Sequence, residues 1–271
     1  MAKTIFITGA SRGFGKLWAE AFLKRGDRVA VTARNLKDLK DLTDAYGKNV
    51  YPIQLDVNNR EACFAAVNSA KAWLGSVDVV INNAGYGLFG TIEETTEKEA
   101  RDQIETNVFG LLWVTQAAIP LMREQGHGHI IQVSSVLGLV TSPVMGIYAA
   151  SKFAVEAIGE SLAQEVKAFG IRVTLIEPSL FGTDWSGASA VHTKGMPVYD
   201  GLKKAFYERV TPDSIGKPEA TIPAILMVVD AINPPLRLTM GKPAYPWIQN
   251  VYQDRLANWE GWKDVAAAAH G

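Results

Sequence analysis

Seven short runs dense in Val, Ile, Leu and Ala recur along the chain, at residues 4–8, 28–33, 50–55, 77–82, 130–134, 171–177 and 236–240. Runs this short and this continuously apolar predict strands covered on both faces, as in a parallel sheet. Between them the apolar residues return with a helical period. Phe14, Leu17, Trp18, Ala21 and Phe22 fall at i, i+3, i+4, i+7 and i+8, and Ile222, Ile225, Leu226 and Val229 repeat the pattern. Strand–helix–strand alternation predicts right-handed crossovers and a doubly wound α/β sheet of seven strands.

The rhythm breaks between residues 178 and 218, where Gly182, Gly187, Gly195, Pro197, Gly201, Pro212 and Gly216 mix with Phe181, Trp185, Met196, Tyr199, Phe206 and Tyr207. A long apolar-bearing insertion in a compact domain usually serves as a lid or binding loop, so a substrate lid is expected at about 179–217. No repeat or linker divides the chain, and the 271 residues read as a single domain. From about Tyr245 the sequence carries Trp247, Trp259 and Trp262 with little periodicity, and no element is assigned there.

Composition narrows the function classes. The net charge of −1, without blocks of like charge, gives no electrostatic case for nucleic acid. One cysteine, Cys63, supplies neither an intrachain disulfide nor a zinc cluster. His127, His129, His192 and His270 are scattered, so surface or strand-edge positions and no metal are expected. Residues 108–122 lack charge but are too few to cross a bilayer of about 30 Å. Residues 130–151 are interrupted by serines, glycines and a proline. The N-terminal MAKTIFITGA reads as a strand, not a signal peptide, and a cytoplasmic protein without a membrane span is expected.

The first strand is followed at once by Thr8-Gly9-Ala10-Ser11-Arg12-Gly13-Phe14-Gly15, which opens the first helix. Glycines allow the tight turn and the close approach of backbone to a diphosphate, and the helix N-terminus offers free N–H groups to that anion. The same kind of loop serves methyltransferases, so the turn alone leaves the ligand open. The second strand ends Ala33-Arg34, with no carboxylate to hold a ribose 2′-hydroxyl. A guanidinium there suits a 2′-phosphate, with Arg12 approaching from the other side, so NADP(H) is favoured over NAD(H); a solvent-facing Arg34 is the alternative.

Tyr148 and Lys152 stand four apart at the start of a helical run through Phe169, on one helix face. A cation beneath a phenol lowers its pKa from about 10 and suits it to acid–base work. Ser135 follows the 130–134 strand at its carboxyl end, placed to donate to a substrate oxygen. Taken singly, Ser135 reads as a loop cap, and Tyr148 with Lys152 as a surface pair.

Thr8-Gly9…Gly13-x-Gly15, Asp56-Val57, Asn82-Asn83-Ala84-Gly85, Asn107, Ser135, Tyr148…Lys152 and Pro178…Thr183 together resemble the short-chain dehydrogenase/reductase family. The likeness spans about residues 4–183, in the compact branch with the Thr-Gly-x-x-x-Gly-x-Gly turn. Asn83–Gly87 and Glu177-Pro178 look most like hydroxysteroid and retinol dehydrogenases. The resemblance implies a Rossmann-type fold and NAD(P)-dependent hydride transfer between the nicotinamide and a carbonyl carbon. It implies that Gly9, Ser11, Arg12, Gly13, Phe14 and Gly15 cradle the phosphates. Asp56 and Val57 would take the adenine, Asn83, Ala84 and Gly85 the adenosine ribose, and Pro178 and Thr183 the nicotinamide. Tyr148 would exchange the proton and Lys152 hold the nicotinamide ribose. Asn107 would anchor a water that passes protons to Lys152; independently, an amide inside a charge-free helix needs a buried partner. Ser179 stands where the family has glycine, and Phe14 is bulkier than the usual aliphatic residue.

The expected pocket walls are Phe89, Leu137, Val144, Met145, Leu180, Phe181 and Trp185, which suit a hydrophobic ketone or secondary alcohol. Core packing is the alternative for Phe181 and Trp185. A non-catalytic NADPH sensor is the competing class, though such proteins tend to lose the tyrosine or lysine. An epimerase or dehydratase would carry a larger C-terminal substrate domain. A single helix is expected over residues 97–124. Val108, Leu111, Leu112, Trp113, Val114 and Ile119 make it apolar on more than one side, so a homodimer or homotetramer is expected through it.

Overall fold

The computed structural model describes residues 2–187 and 189–271. The strands are β1 Thr4–Ile7, β2 Arg28–Ala33, β3 Val50–Gln54, β4 Val79–Asn82, β5 Leu88–Phe89, β6 Gly128–Val133, β7 Ile171–Pro178, β8 Val191–His192 and β9 Arg237–Met240. The helices are α1 Gly13–Arg25, α2 Lys40–Tyr46, α3 Arg60–Leu74, α4 Glu97–Ile104, α5 Gly110–Gln125, α6 Gly146–Val166, α7 Asp200–Glu208, α8 Ile222–Asp230, α9 Ala244–Gly261 and α10 Lys263–Ala268.

All seven apolar runs become strands of one parallel sheet, ordered β3-β2-β1-β4-β6-β7-β9. Alternate residues of a strand face opposite sides, and both sides are covered. Ile5, Ile7, Val29, Val31 and Ile81 pack with Trp18 and Phe22 of α1 and Ile225 and Val229 of α8. Phe6, Ala30, Val80, Ile130 and Val173 pack on the other side with Val67 of α3, Val114 and Met122 of α5, and Leu162 and Val166 of α6. Each Val, Ile, Leu, Phe or Met among them, fully buried, contributes about 1.5–3 kcal/mol. The chain order reverses beside β1, whose neighbours are β2 and β4. Ligands of such sheets bind at that reversal, outside the carboxyl ends of the strands.

The structure departs from the sequence reading in four places. The run 97–124 is not one helix: α4 and α5 are joined by a π-helical turn, Glu105–Phe109. That wider turn, Glu-Thr-Asn-Val-Phe, buries the amide of Asn107 beside Val108. Two-residue strands β5 and β8 form a second, parallel pair, too short to leave a sequence signature. The C-terminal stretch is helical, as α9 and α10. Trp247, Ile248 and Val251 of α9 pack on the body of the protein, while Tyr245, Leu256 and Trp259 are exposed, so apolar residues on two flanks blur the helical period. His129 is neither on the surface nor at an edge. It is buried on β6 between β4 and β7, its Nε2 2.9 Å from the Thr174 hydroxyl, and burial pushes its pKa down to about 3. Among the described residues no helix is long and apolar enough to cross a membrane.

Candidate active site

A cleft of about 720 Å³ runs along the carboxyl ends of β1, β2, β4 and β6. At one end lies the glycine turn. Gly9 has a φ of +67°, and a Cβ there would stand 2.9 Å from the Cα of Ala84. A Cβ on Gly15 would meet the carbonyl oxygen of Gly9 at 2.2 Å, so neither position admits a side chain. Thr8 ties this turn to the loop after β4: its hydroxyl accepts the backbone N–H groups of Asn83 and Ala84, each at 3.0 Å. Asn83 answers by donating its side-chain amide to the carbonyls of Thr8 and Gly9 at 3.0 Å. The first turn of α1 has no side-chain cap and no acidic residue. Its N–H groups stay available to an anion, as a diphosphate cradle requires. Ser11, Arg12, Gly13, Phe14, Arg34, Asp56 and Val57 line the same end, and Asp56 also accepts the N–H of Asn58 at 3.0 Å. The residues present therefore fit a dinucleotide.

At the other end the structure brings together Ser135, Tyr148 and Lys152, all buried and all lining the cleft. Ser135 caps the turn Val136–Gly138 by accepting the Leu137 N–H at 3.1 Å, so the capping role and the cleft position coincide. Tyr148 and Lys152 share a face of α6, with Nζ 5.8 Å from the phenol ring centre and 2.8 Å from the Val133 carbonyl that it donates to. The expected lowering of the Tyr148 pKa is not found. Burial raises it above the ordinary phenol value, and the Ser135 hydroxyl opposes this only in part. Burial also pulls Lys152 down to about 8, against the nearby charge of Glu156. Desolvation disfavours both charged forms and is the largest effect on each group. A hydroxyl, a phenol and an ammonium so placed can hold a substrate oxygen and exchange a proton with it.

Asn107 stands behind the cleft. Its side chain accepts the Tyr86 N–H and donates to the Tyr86 carbonyl and the Ser151 hydroxyl, each at 3.1 Å, so it braces the loop after β4. Pro178, Leu180, Phe181, Thr183 and Trp185 line the cleft, whereas Phe89, Leu137, Val144 and Met145 lie one layer back in a cluster with Tyr148. Val144 adopts a left-handed φ of +69°, a strained state for a β-branched residue, and its carbonyl accepts the Gly90 N–H at 2.8 Å. Phe181 serves the core as well as the cleft. Its ring meets Phe14 edge-on at 5.3 Å, and Phe14 stacks on Trp18 at 5.0 Å, so the bulk of Phe14 anchors the insertion. Ser179 continues the pairing with β9 through its N–H to Met240, and its hydroxyl fills the space that a Cβ on Gly241 would take.

Behind Lys152 lies a buried acidic group that the sequence marks only in part. Glu156, one turn further along α6, accepts Arg237 Nε at 2.9 Å, and Glu160 accepts the same guanidinium at 2.7 Å. Glu177 is fully buried, 3.5 Å from Arg237, and neither of its oxygens has a hydrogen-bond partner. Burial, with Glu156 adding to it, pushes its pKa up to about 8. A strand-end glutamate before proline hints at burial, but Arg237 comes from β9, 60 residues on, and nothing in sequence joins them.

Residues 3–193 match the family model for short chain dehydrogenases. An oxidoreductase of Botryotinia fuckeliana, BOA17, is 38% identical over 99% of this chain and 100% of its own length. A short-chain dehydrogenase from Streptomyces avermitilis superimposes with a TM-score of 0.92, at 36% identity over 99% of both chains. A short chain dehydrogenase from Burkholderia cenocepacia, solved in complex with NADP, gives a TM-score of 0.77 at 27% identity, over 96% of this chain and 97% of the other. With the glycine turn, the parallel sheet and the Ser135–Tyr148–Lys152 cluster in one cleft, the chain belongs to the short-chain dehydrogenase/reductase family of oxidoreductases.

Proposed function

We propose that the protein is an NADP(H)-dependent oxidoreductase that reduces a carbonyl, or oxidises the matching secondary alcohol, of a hydrophobic small molecule. One observation carries the reading: the Ser135–Tyr148–Lys152 cluster and the glycine turn, with Arg12 and Arg34, occupy opposite ends of a single cleft. When bound, the nicotinamide cofactor supplies the hydride. Arg34, at the end of β2, and Arg12, before α1, hold the 2′-phosphate, and the α1 N-terminus holds the diphosphate. Asp56 and Val57 take the adenine, Asn83, Ala84 and Gly85 the adenosine ribose, and Pro178 and Thr183 border the nicotinamide half. Ser135 orients the substrate oxygen, Tyr148 gives or takes its proton, and Lys152 holds the ribose and balances the charge on the phenol. Asn107 orders the wall beside Lys152 through the Tyr86 backbone. The related Burkholderia protein holds NADP, which supports the cofactor assignment.

Residues 179–217 act as the substrate lid, with Leu180, Phe181 and Trp185 as its inner wall. Trp185 lies 4.9 Å from the Tyr148 ring and 5.5 Å from Phe89, an apolar and aromatic enclosure suited to a ketone without a charged group. The narrower likeness to hydroxysteroid and retinol dehydrogenases rests on residues 83–87 and 177–178 alone. Phe109, exposed and stacked on Trp113 at 5.7 Å, supports a homodimer or homotetramer through α4 and α5, which light scattering tests directly.

The test is NADPH and NADH binding by fluorescence, then NADPH consumption against a panel of apolar ketones and aldehydes. Tighter binding of NADPH and turnover of at least one carbonyl are expected. Binding of neither nucleotide would overturn the reading at its first step.

A further inference from the structure

The insertion between β7 and α8 is fastened at two places. Its neck closes where Phe181 pairs with Gly216: Gly182 donates to the Gly216 carbonyl at 3.0 Å and Gly216 to that of Leu180 at 2.9 Å. Its far side is fastened largely by one carboxylate. Glu94 lies in the turn after β5, with no side-chain exposure. Its Oε1 accepts Lys203 Nζ at 2.6 Å and the Met196 N–H at 2.7 Å. Its Oε2 accepts the Thr91 N–H at 3.0 Å and the Thr193 hydroxyl at 3.4 Å. Three of these four donors belong to the insertion. Burial alone would raise the pKa of Glu94, but the bonds from Lys203, Thr91 and Met196 hold it down to about 2, so the carboxylate stays charged.

The rest of this attachment is slight. Strands β5 and β8 pair over two residues, and α7 has no fully buried residue. Phe206 of α7 packs, half-buried, on the cluster around Tyr148, and the Tyr199 hydroxyl donates to Glu93 at the surface, so Glu94 adds a buried charged contact to a thin layer of packing. Gly90 leaves room for the arrangement, since a Cβ there would strike Thr193 at 2.2 Å. The segment so held includes Ala190 and Val191, which line the cleft, and Trp185, which faces Tyr148.

We infer that Glu94 is the latch of this segment: a positioning residue that holds the insertion down on the substrate end of the cleft, and whose contacts to Lys203 and Met196 must part for substrate to enter and product to leave. The inference rests on the reading of residues 179–217 as a lid. Glu94 touches no reacting atom, and it acts through the position of the wall that the insertion provides.

Chymotrypsin digestion of the full-length protein tests it without reference to activity, because Tyr199, Phe206 and Tyr207 lie in the latched segment. Glu94→Ala is expected to speed cleavage there by roughly tenfold or more, since cleavage follows the population of the opened state, with NADPH affinity unchanged. With any carbonyl the protein reduces, KM rises about tenfold while kcat changes less, the pattern of lost ground-state positioning. Lys203→Met, on the half-buried partner, moves both in the same direction by less and keeps the test decisive if Glu94→Ala does not fold. Unchanged cleavage in both variants overturns the latch, as does a loss of NADPH affinity equal to the rise in KM. Faster cleavage in a protein that reduces no carbonyl leaves the latch standing and removes the proposed reaction instead.

Discussion

The two ends of the cleft are built by opposite means. The glycine-turn end is made from backbone: Gly9 and Gly15 pressed against main chain, Thr8 and Asn83 exchanging bonds with peptide groups, and strand ends fixed by sheet register. The far end is made from side chains of separate elements, with Trp185 on Tyr148, Phe181 on Phe14, and Lys203 on Glu94. A backbone site tolerates little variation in sequence and offers the same surface in every member of a fold. A wall of side chains on an insertion can change residue by residue without disturbing the sheet. The first end suits a shared cofactor, and the second suits a substrate peculiar to one protein.

Tyr148 stands at the junction and gives the sharpest break of this comparison. Tyr148→Phe keeps the ring against Trp185 and removes only the hydroxyl. Turnover should fall by at least about 10²-fold, the range for a lost general acid or base, while NADPH binding stays within about twofold. Stopped assays with the same nucleotide titration separate the two quantities. A variant that keeps substantial turnover would show that the proton travels elsewhere. Because burial keeps the Tyr148 pKa above its ordinary value, the free protein holds it as a neutral phenol through the neutral range, ready to donate.

Arg34 tests the other end alone. Arg34→Ala should weaken NADPH by about 10- to 100-fold, corresponding to the ~1.5–3 kcal/mol of a charge-assisted contact. NADH, which lacks the 2′-phosphate, should bind as before. Equal losses for both nucleotides would place the guanidinium away from that phosphate. KM for the carbonyl should not move, which distinguishes this change from one at Glu94.

What sequence made legible follows the same division. The seven strands and the glycine turn were readable because backbone sites depend on local pattern: apolar runs, a helix period and a glycine spacing. Ser135, Tyr148 and Lys152 were readable because strand end and helix start fix their places. The attachment of the 179–217 insertion was not, since Glu94 sits among Glu93, Glu97 and Glu99 and looks like one more solvated charge. Its partners Thr193, Met196 and Lys203 lie about a hundred residues away. The pocket wall was misplaced by one layer, with Phe89, Leu137, Val144 and Met145 behind the cleft surface, because residue type does not report depth. The phenol's pKa went the other way from the expectation because four-residue spacing reveals a nearby cation but not how far both groups are from water.

Glu177, at the close of β7 before Pro178, bears on stability and not on turnover or binding. Its pKa is raised in the folded protein to about 8, from about 4.3 in an unfolded chain. Between those values the native state keeps a proton that the unfolded state has released. The stability this group confers is therefore full below about pH 4.3 and is lost as pH rises through 8. His129 acts with the opposite sign: depressed to about 3, it favours folding increasingly as pH rises toward the ordinary histidine value near 6.5. The two overlap in the wild-type profile, so the informative quantity is a difference. Glu177→Gln keeps the shape of the protonated acid and cannot ionise. Melting temperatures of the two proteins, measured from pH 5 to 9, should diverge, with the variant gaining relative to wild type up to about pH 8 and holding that gain above it. Parallel curves would mean that Glu177 ionises normally beside Arg237, and that the guanidinium 3.5 Å away outweighs burial.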